Sequence, residues 1–232
     1  MVLLNVKEFL GEFTFGQFLE RENRFVCRVL VKNKEKKAHL SDTGRLRELL
    51  KRGAPVVLSP NPKGKLDYKV VSIGNEGEWI FLNPSLHSRI AERLIKEGFI
   101  GTLPKSIRRE VTVGKSRIDF LIDESFYVEV KGCNLVEEEV CLFPDAPTLR
   151  GKKHLLELIR LKEKGFRTGV LFLAFRECNC FSPNQRTDWA FCNTFKRALS
   201  SGVEFFGFKL GFCPESGDIT VKGRLKICRG VL

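Results

Sequence analysis

The chain has no run of about 18 apolar residues, the length that a membrane-spanning helix needs. Its opening residues, MVLLNVKEFLGEF, contain the acidic Glu8 and no leading positive region, so the pattern of a secretory signal peptide is missing. The sequence also lacks internal repeats and low-complexity segments. These absences predict an intracellular, cytoplasmic protein with no membrane partner.

Acidic residues are scarce relative to basic ones. The 232 residues include 40 Lys and Arg against 28 Asp and Glu, which gives a formal net charge of +12. A surplus of this size favours a polyanionic partner, and nucleic acid comes before membrane because no basic amphipathic segment with a long apolar face stands out. A basic surface that serves only solubility is the alternative.

Eight cysteines are present, but Cys178-x-Cys180 lacks the second Cys or His pair that a zinc site would need. In an intracellular protein we expect most of them to be small buried apolar residues. Disulfides are expected only if the source is a hyperthermophile. The single Met and the abundant Lys and Glu are a weak sign of such a source.

Residues 1–82 alternate in the manner of a β domain with one helical insert. Ser41-Asp42-Thr43-Gly44 offers capping residues for a short helix from Arg45 to Lys51 that Gly53 would end. Strands are predicted at 13–19, 24–31, 38–40, 56–59, 66–73 and 78–82, with a basic loop at 32–37. This order predicts a five-stranded Greek-key barrel of the OB type.

OB barrels bind oligonucleotides through positive charge and aromatic platforms. Most phenylalanines alternate as core residues, which leaves Tyr68 as a candidate for base stacking. Amides at a helix start can bind a phosphate, although Thr43-Gly44-Arg45 could equally form a plain N-terminal cap. The DNA-binding candidates of this domain are Arg24, Lys34, Lys36, Lys37, Thr43, Arg45 and Arg47.

Residues 83–232 are predicted to form a second domain. Leu86, Ile90 and Leu94 recur at helical spacing up to Gly98. Three strands, a Pro-rich loop at 132–147, a helix at 148–165, a buried strand at 168–175, a helix at 188–201 and a strand at 203–210 follow. We therefore predict a two-domain α+β protein whose second domain is a mixed sheet flanked by helices.

Residues 110–131, EVTVGKSRIDFLIDESFYVEVK, read as three antiparallel strands of period 2. A loop at 123–125 pairs Ile122 with Phe126, Phe120 with Val128 and Ile118 with Val130, and it sets Asp119 opposite Glu129. A two-residue loop at Gly114-Lys115 pairs Val113 with Ser116, Val111 with Ile118 and Glu110 with Asp119. Three carboxylates then align across three strands, with Lys131 at the edge.

Like charges that face each other destabilise a sheet unless something neutralises them. Mg²⁺ or Mn²⁺ would suit this cluster, because Mg²⁺ is usually held by one or two carboxylates plus waters and substrate phosphates. The alternative is three solvated acids on the wet face of the sheet, with Arg117 and Lys131 as surface partners.

The helix that begins at Thr148 carries basic residues at an end where the helix dipole prefers anions. A bound phosphate would resolve this conflict. Further DNA-binding candidates are therefore Arg150, Lys152, Lys153 and His154.

Five runs of the second half are distinctive: Ser116-Arg117-Ile118-Asp119-Phe120, Tyr127-Val128-Glu129-Val130-Lys131, Leu142-Phe143-Pro144-Asp145-Ala146-Pro147-Thr148, Phe181-Ser182-Pro183-Asn184 and Gly202-Val203-Glu204. Together they strongly resemble the sugar fermentation stimulation protein family. The resemblance covers most of residues 83–210. The N-terminal half agrees mainly through Arg24-Phe25 and Thr43-Gly44, and Ser41-Asp42 stands where Pro-Asn is expected.

The resemblance implies a DNA-binding protein tied to sugar utilisation, whose second domain is similar to the PD-(D/E)xK (restriction-endonuclease-like) fold. It implies that Asp119 and Glu129 bind a metal and that Lys131 orients the attacking water. The customary Pro before the Asp is replaced by Ile118. A helix glutamate often assists in that fold, and Glu92 is the closest candidate, while Glu110 competes with it through the strand register.

Two functions remain open at this point. One is a DNA-binding protein of low sequence specificity that regulates sugar (maltose) metabolism. The other is a Mg²⁺-dependent nuclease that uses Asp119, Glu129 and Lys131, with Lys152, Lys153 or His154 steadying the phosphate. Single-strand or double-strand preference and the oligomeric state, a homodimer included, stay open.

Overall fold

The structure, a computed structural model of the chain, describes residues 1–62, 64–101, 103–114 and 116–231. The chain forms two compact units. The first contains Met1–His87 and Leu210–Lys222, and the second contains Ser88–Lys209 and the segment from Gly223 onward. Within the described ranges, no helix combines the length and the apolar character needed to cross a membrane.

The first unit is built around a β barrel. Its elements are β1 (Val2–Asn5), α1 (Lys7–Leu10), β2 (Thr14–Asn23), β3 (Val26–Val31), β4 (Lys34–His39), β5 (Pro55–Pro60), β6 (Tyr68–Asn75) and β7 (Glu78–Phe81). The sheet order is β4-β3-β2-β5-β6-β7, and pairing of β4 with β6 closes five of the strands into a barrel. The predicted OB-type barrel is confirmed. Its core is filled from alternate positions, as in β3, where Cys27, Val29 and Val31 are buried.

The basic run at 32–37 is not a loop, contrary to the prediction. Lys32 and Asn33 have positive φ angles of 48° and 61°, as the two central residues of a tight hairpin turn require. The rest of the run forms β4, which pairs antiparallel with β3. A strand can carry so many charges because the side chains that face solvent need no apolar character.

The helix predicted from Arg45 to Lys51 is also wrong, because residues 41–50 form only turns and bends. Asp42 Oδ1 accepts the N–H of Gly44 (2.8 Å), which is a local turn and not a helix cap. Leu46 has a φ of 50°, outside the right-handed helical region. The proposed phosphate contact at a helix start therefore loses its basis at Thr43-Gly44-Arg45.

The remaining elements follow in chain order. They are α2 (His87–Lys96), β8 (Ile107–Val113), β9 (Ser116–Ile122), β10 (Phe126–Cys133), β11 (Leu135–Glu137), β12 (Val140–Phe143), α3 (Leu149–Glu163), β13 (Arg167–Ala174), β14 (Cys180–Pro183), α4 (Trp189–Ser200), β15 (Glu204–Cys213) and β16 (Asp218–Arg224). In the second unit the order β8-β9-β10-β13-β15 runs through one sheet. Strands β10, β13 and β15 are parallel and β8 and β9 antiparallel, so the predicted mixed sheet is confirmed.

Helices α3 and α4 pack their apolar faces into the core of the second unit. Leu155, Leu158 and Ile159 of α3 recur at helical spacing and are buried. They join a cluster of aromatic rings from the sheet and from α4, which includes Phe172, Phe181, Phe191 and Phe195. This packing fixes the start of α3 against the sheet, where the candidate site lies.

The segment predicted as a Pro-rich loop contains β11 and β12, which form a three-stranded sheet with β14. Two disulfides, Cys141–Cys178 and Cys180–Cys228, hold this region together. The expectation that most cysteines are simply small buried apolar residues is therefore wrong for half of the eight. Three others, Cys27, Cys133 and Cys192, are free and buried, and Cys213 is exposed.

Candidate active site

The hairpin of β9 and β10 has the predicted register at its loop end. Ile122 pairs with Phe126 and Phe120 pairs with Val128, as expected. Strands β8 and β9 pair Val111 with Ile118 and Val113 with Ser116, also as expected. Lys115 of the predicted Gly114-Lys115 loop lies outside the described residues.

Beyond Phe120 and Val128 the ladder between β9 and β10 ends, and the predicted pair of Ile118 with Val130 is not part of it. The Asp119 side chain takes over: its Oδ2 accepts the backbone N–H of Val130 at 2.7 Å. A carboxylate thus replaces a strand carbonyl as the acceptor, which directs the Asp119 side chain toward β10.

The electrostatic environment of Asp119 disfavours its ionised form. Burial raises the pKa of this carboxyl to about 6, and the nearby negative charge of Glu129 adds to the rise. The hydrogen bond from Val130 and the positive charge of Lys131 lower the pKa but do not cancel these effects. The ionised Asp119 therefore lacks part of the positive charge that would stabilise it.

Glu129 is only 2% exposed and is held through one oxygen. Its Oε1 accepts hydrogen bonds from Lys131 Nζ and His154 Nδ1, and these two nitrogens are 3.5 Å apart. Burial alone would raise the pKa of Glu129, but the charge of Lys131 and the bond from His154 keep it below its ordinary value. The other oxygen, Oε2, is buried without a hydrogen-bond partner among the described residues.

Helix α3 carries His154 into this cluster. Thr148 caps the helix, with Oγ1 accepting the N–H of Gly151 at 3.0 Å, and His154 is buried one turn further on. The same turn forms one wall of a cleft of about 420 Å³. The cleft is lined by Ser116, Arg117, Leu149, Arg150, Lys153 and His154.

Two further acids, Glu110 and Glu92, form ion pairs with basic side chains. Glu110 has a φ of 56°, and its carboxylate binds Arg117 at 2.5 Å, although its charge still contributes to the raised pKa of Asp119. Glu92 on α2 binds Lys96 at 2.8 Å and Arg109 at 3.5 Å. The structure therefore brings together Asp119, Glu129, Lys131 and His154. Glu92 forms its ion pairs with Lys96 and Arg109 instead.

The DNA-binding candidates of the barrel lie in three places: strand β4, the segment that follows it, and the turn between β2 and β3. In β4, Lys36 binds Asp67 (3.3 Å) and Lys37 binds Glu22 (2.9 Å), while Lys34 is exposed. Thr43, Arg45 and Arg47 are exposed in the segment that follows β4. Arg24 lies over the ring of Phe25, with 5.7 Å from the guanidinium carbon to the ring centroid. Lys152 of α3, in the second unit, is partly buried and does not line the cleft.

Sequence reasoning missed two contributors. Arg21 of β2 donates to the carbonyls of Asp42 (3.2 Å), Gly44 (2.7 Å) and Arg45 (3.1 Å), and so it shapes the segment after β4. Ser116 lines the cleft, and its buried Oγ has no hydrogen-bond partner among the residues that the structure describes. Both roles depend on contacts between distant parts of the chain, which no local pattern reveals.

The carboxylate oxygens of Asp119 and Glu129 are ligands that suit a hard divalent cation. The negative charge of Glu129 acts on Asp119, which is poorly compensated when ionised, and Glu129 Oε2 is buried with no hydrogen-bond partner in the part of the chain that the structure describes. In the described part of the chain, no group of three His, Cys, Asp or Glu side chains is arranged to hold a metal ion. A cation would therefore take Asp119 and Glu129 and complete its shell with water and phosphate oxygens, as Mg²⁺ usually does.

Comparisons with known proteins point to the same family in both halves of the chain. The family model of the SfsA N-terminal OB domain matches residues 19–82, and that of the sugar fermentation stimulation protein RE domain matches residues 85–216. The sugar fermentation stimulation protein homolog of Thermotoga neapolitana is 42% identical over 218 residues, 93% of this chain and 96% of the relative. The homolog of Sulfurisphaera tokodaii is 43% identical over 216 residues, 91% of this chain and 89% of the relative.

A solved structure is also similar. The structure of Pyrococcus furiosus SfsA in complex with Ca²⁺ is 30% identical in sequence and has a TM-score of 0.87. The match covers 98% of this chain and 99% of that one. The two-unit arrangement of an OB barrel and a mixed-sheet domain is thus shared with a known protein.

Proposed function

This chain belongs to the sugar fermentation stimulation protein family, and we propose that its second unit is a divalent-metal-dependent nuclease that uses Asp119, Glu129 and Lys131 to cleave DNA. The observation that carries the proposal is the buried Oε2 of Glu129, which has no hydrogen-bond partner among the described residues, while the charge of the same carboxylate raises the pKa of the buried Asp119. Leaving such an oxygen unsatisfied costs about 1–3 kcal/mol, and a bound cation would remove that cost. The related P. furiosus protein was solved in complex with Ca²⁺, a cation that also prefers oxygen ligands.

The side chains around the carboxylates have separable roles in this proposal. When bound, Mg²⁺ or Mn²⁺ would stabilise the negative charge that develops on the phosphate during hydrolysis. Lys131, whose side chain is 13% exposed, orients the attacking water through its ammonium group. His154 holds Glu129 by Oε1, which leaves Oε2 as the oxygen that a cation would take. Arg150 and Lys153 at the cleft bind phosphates next to the scissile one.

The test is a cleavage assay on plasmid DNA with protein that has been stripped of metal. Addition of Mg²⁺ or Mn²⁺ should start cutting by the native chain, and Glu129→Gln or Asp119→Asn should abolish it. Glu124→Gln is a matched control, since Glu124 lies at the exposed loop of the same hairpin and pairs with Arg108. Cutting by Glu129→Gln at the native rate would overturn the assignment.

A second candidate is DNA binding without cleavage. It is favoured by the fact that Glu129 already has two partners on Oε1, so its charge is compensated before any cation arrives. Such a protein would bind duplex DNA equally well with a chelator present, with affinity falling steeply as salt rises, and would leave DNA intact in every divalent cation. Cation-dependent cutting that is lost in Glu129→Gln would exclude it.

A further inference from the structure

Two large apolar side chains stand out at the start of α3 and α4. Leu149, the first residue of α3, is 86% exposed, and Trp189, the first residue of α4, is 62% exposed. Single exposed apolar residues are common on protein surfaces. A pair on two joined helix starts, of which one member lines the cleft, is less ordinary, because exposed tryptophan and leucine side chains gain most when a ligand covers them.

The two helix starts are fastened to each other. The N–H of Thr148 donates to Oδ2 of Asp188 at 2.8 Å, and these two residues directly precede Leu149 and Trp189. One turn further, a Cβ placed on Gly151 would lie only 3.3 Å from Cε2 of Phe191, so the two first turns are in close contact. Chain geometry then keeps the Cα atoms of Leu149 and Trp189 within roughly 15 Å of each other.

Leu149 also lines the cleft to which His154, a hydrogen-bond partner of Glu129, belongs. It lines the cleft together with Arg150 and Lys153, which are exposed cations, and with Ser116, whose buried hydroxyl has no partner among the described residues. A ligand that suits this surface therefore presents apolar faces and negative charges side by side, and a polar group to Ser116. A DNA strand with unpaired bases has this alternation, because its bases expose their faces and its phosphates lie alongside.

Duplex DNA fits the same surface less well. Its bases are stacked inside the helix, so an exposed Trp and Leu can reach their faces only by prising a base step open, which costs a few kcal/mol. In a single strand or a frayed end that cost is largely absent, and stacking on an aromatic ring is available to any base.

We infer that Leu149 and Trp189 form a base-binding edge of the active site, and that the substrate is DNA that is single-stranded or unpaired next to the scissile phosphate. The inference rests on the proposed function, because it takes the cleft as the place where the phosphate is bound. Trp189 stacks on a base, Leu149 packs against its neighbour, and Arg150 and Lys153 bind the phosphates between them.

The first experiment measures binding apart from cleavage, in the Glu129→Gln background without divalent metal. A short single-stranded DNA should quench tryptophan emission more strongly than the blunt duplex of the same sequence. The quenching should be lost in Trp189→Phe, which leaves Trp79 as the remaining tryptophan. By fluorescence anisotropy, Trp189→Ala should weaken single-strand binding roughly 5- to 150-fold, the range found when stacked aromatic residues are removed.

Matched variants separate this edge from general surface effects. Leu149→Ala should weaken binding of the single strand, whereas Leu103→Ala should not, although Leu103 is a 75% exposed leucine of the same unit. Circular dichroism should show that the variants of Trp189, Leu149 and Leu103 are folded, as expected for exposed positions. Equal affinity of the native chain for both DNA forms, with no change in Trp189→Ala, would overturn the inference.

A second experiment distinguishes failure of this inference from failure of the proposed function. If DNA is cut in a manner that depends on Glu129, but Trp189→Ala and Leu149→Ala cut single strands and duplexes as the native chain does, the nuclease stands and the base-binding edge is refuted. If no cation supports cutting, but quenching and the single-strand preference depend on Trp189, the base-binding edge stands and the nuclease is refuted.

Discussion

Replacing Asp119 with Asn should make the metal-free protein more stable at alkaline pH. Burial and the neighbouring charge of Glu129 raise the pKa of Asp119 to about 6, so its ionised form is disfavoured in the folded protein. An asparagine carbonyl can still accept the Val130 N–H that Asp119 accepts at 2.7 Å. The substitution therefore removes a poorly compensated charge and keeps the hydrogen bond.

The size and sign of this effect follow from the two pKa values. The carboxyl has an ordinary pKa of 3.8, which rises to about 6 on folding, so the unfolded chain releases its proton first as the pH increases. The contribution of native Asp119 to stability is thus lost between about pH 4 and pH 6. One pKa unit equals about 1.4 kcal/mol, so the folded protein carries a penalty of about 3 kcal/mol above that range.

The assay is urea unfolding of both chains in the presence of a chelator, followed by fluorescence. Asp119→Asn should exceed the native free energy of unfolding by about 3 kcal/mol at about pH 8, and the gain should disappear near about pH 4. Glu124→Gln, at the loop of the same hairpin, controls for the loss of one carboxylate. A variant that is less stable than the native chain at the higher pH, or a gain that does not change with pH, would refute the reasoning.

Three other predictions concern the same unit. In calorimetry, saturating Mn²⁺ should raise the unfolding temperature of the native chain but not that of Glu129→Gln. A ligand at about 100 times its Kd adds about 2.7 kcal/mol to the free energy of unfolding. Equal shifts in both chains would mean that the cation binds elsewhere. Lys131→Met should lower the free energy of unfolding by about 3–5 kcal/mol in urea titrations, because the buried Glu129 loses one of two partners; no loss would mean that His154 alone suffices. The two disulfides span 37 and 48 residues, and reducing them should lower the free energy of unfolding by up to about 4 kcal/mol each. Thermal unfolding with and without reductant measures this effect, and an unchanged midpoint would mean that the disulfides contribute nothing.

The strands that carry the carboxylates could be predicted because their signals are local. Alternation at Phe120 and Val128 fixes which side chains face the core, and the loop after Ile122 fixes the register. The confirmed pairs between β9 and β10 follow from these two features, and those between β8 and β9 follow from the short loop predicted at Gly114-Lys115. The end of the ladder at Asp119 was not predictable, since it depends on a side chain that replaces a backbone acceptor.

The segment after β4 shows why other local signals fail. Capping residues at 41–44 are compatible with a helix, but they also form local turns, and tertiary contacts decide between the two. Here Arg21 binds the carbonyls of Gly44 and Arg45, which a helix would have used for its first hydrogen bonds. Disulfide pairing escapes prediction for a related reason, because eight cysteines allow many connectivities that only the folded chain distinguishes.

Three unusual acidic residues lie on the neighbouring strands β8, β9 and β10. Glu110 adopts a positive φ, Asp119 is buried with a raised pKa, and Glu129 keeps an oxygen without a partner among the described residues. Each feature lowers stability locally, and replacing a buried charged cluster by apolar residues is often neutral or stabilising. A fold selected only for stability would have no reason to keep all three together. In the proposed function, a divalent cation would bring positive charge to Asp119 and Glu129, and a phosphate would bring negative charge to Arg150 and Lys153 in the cleft, so the ligand would offset these local costs.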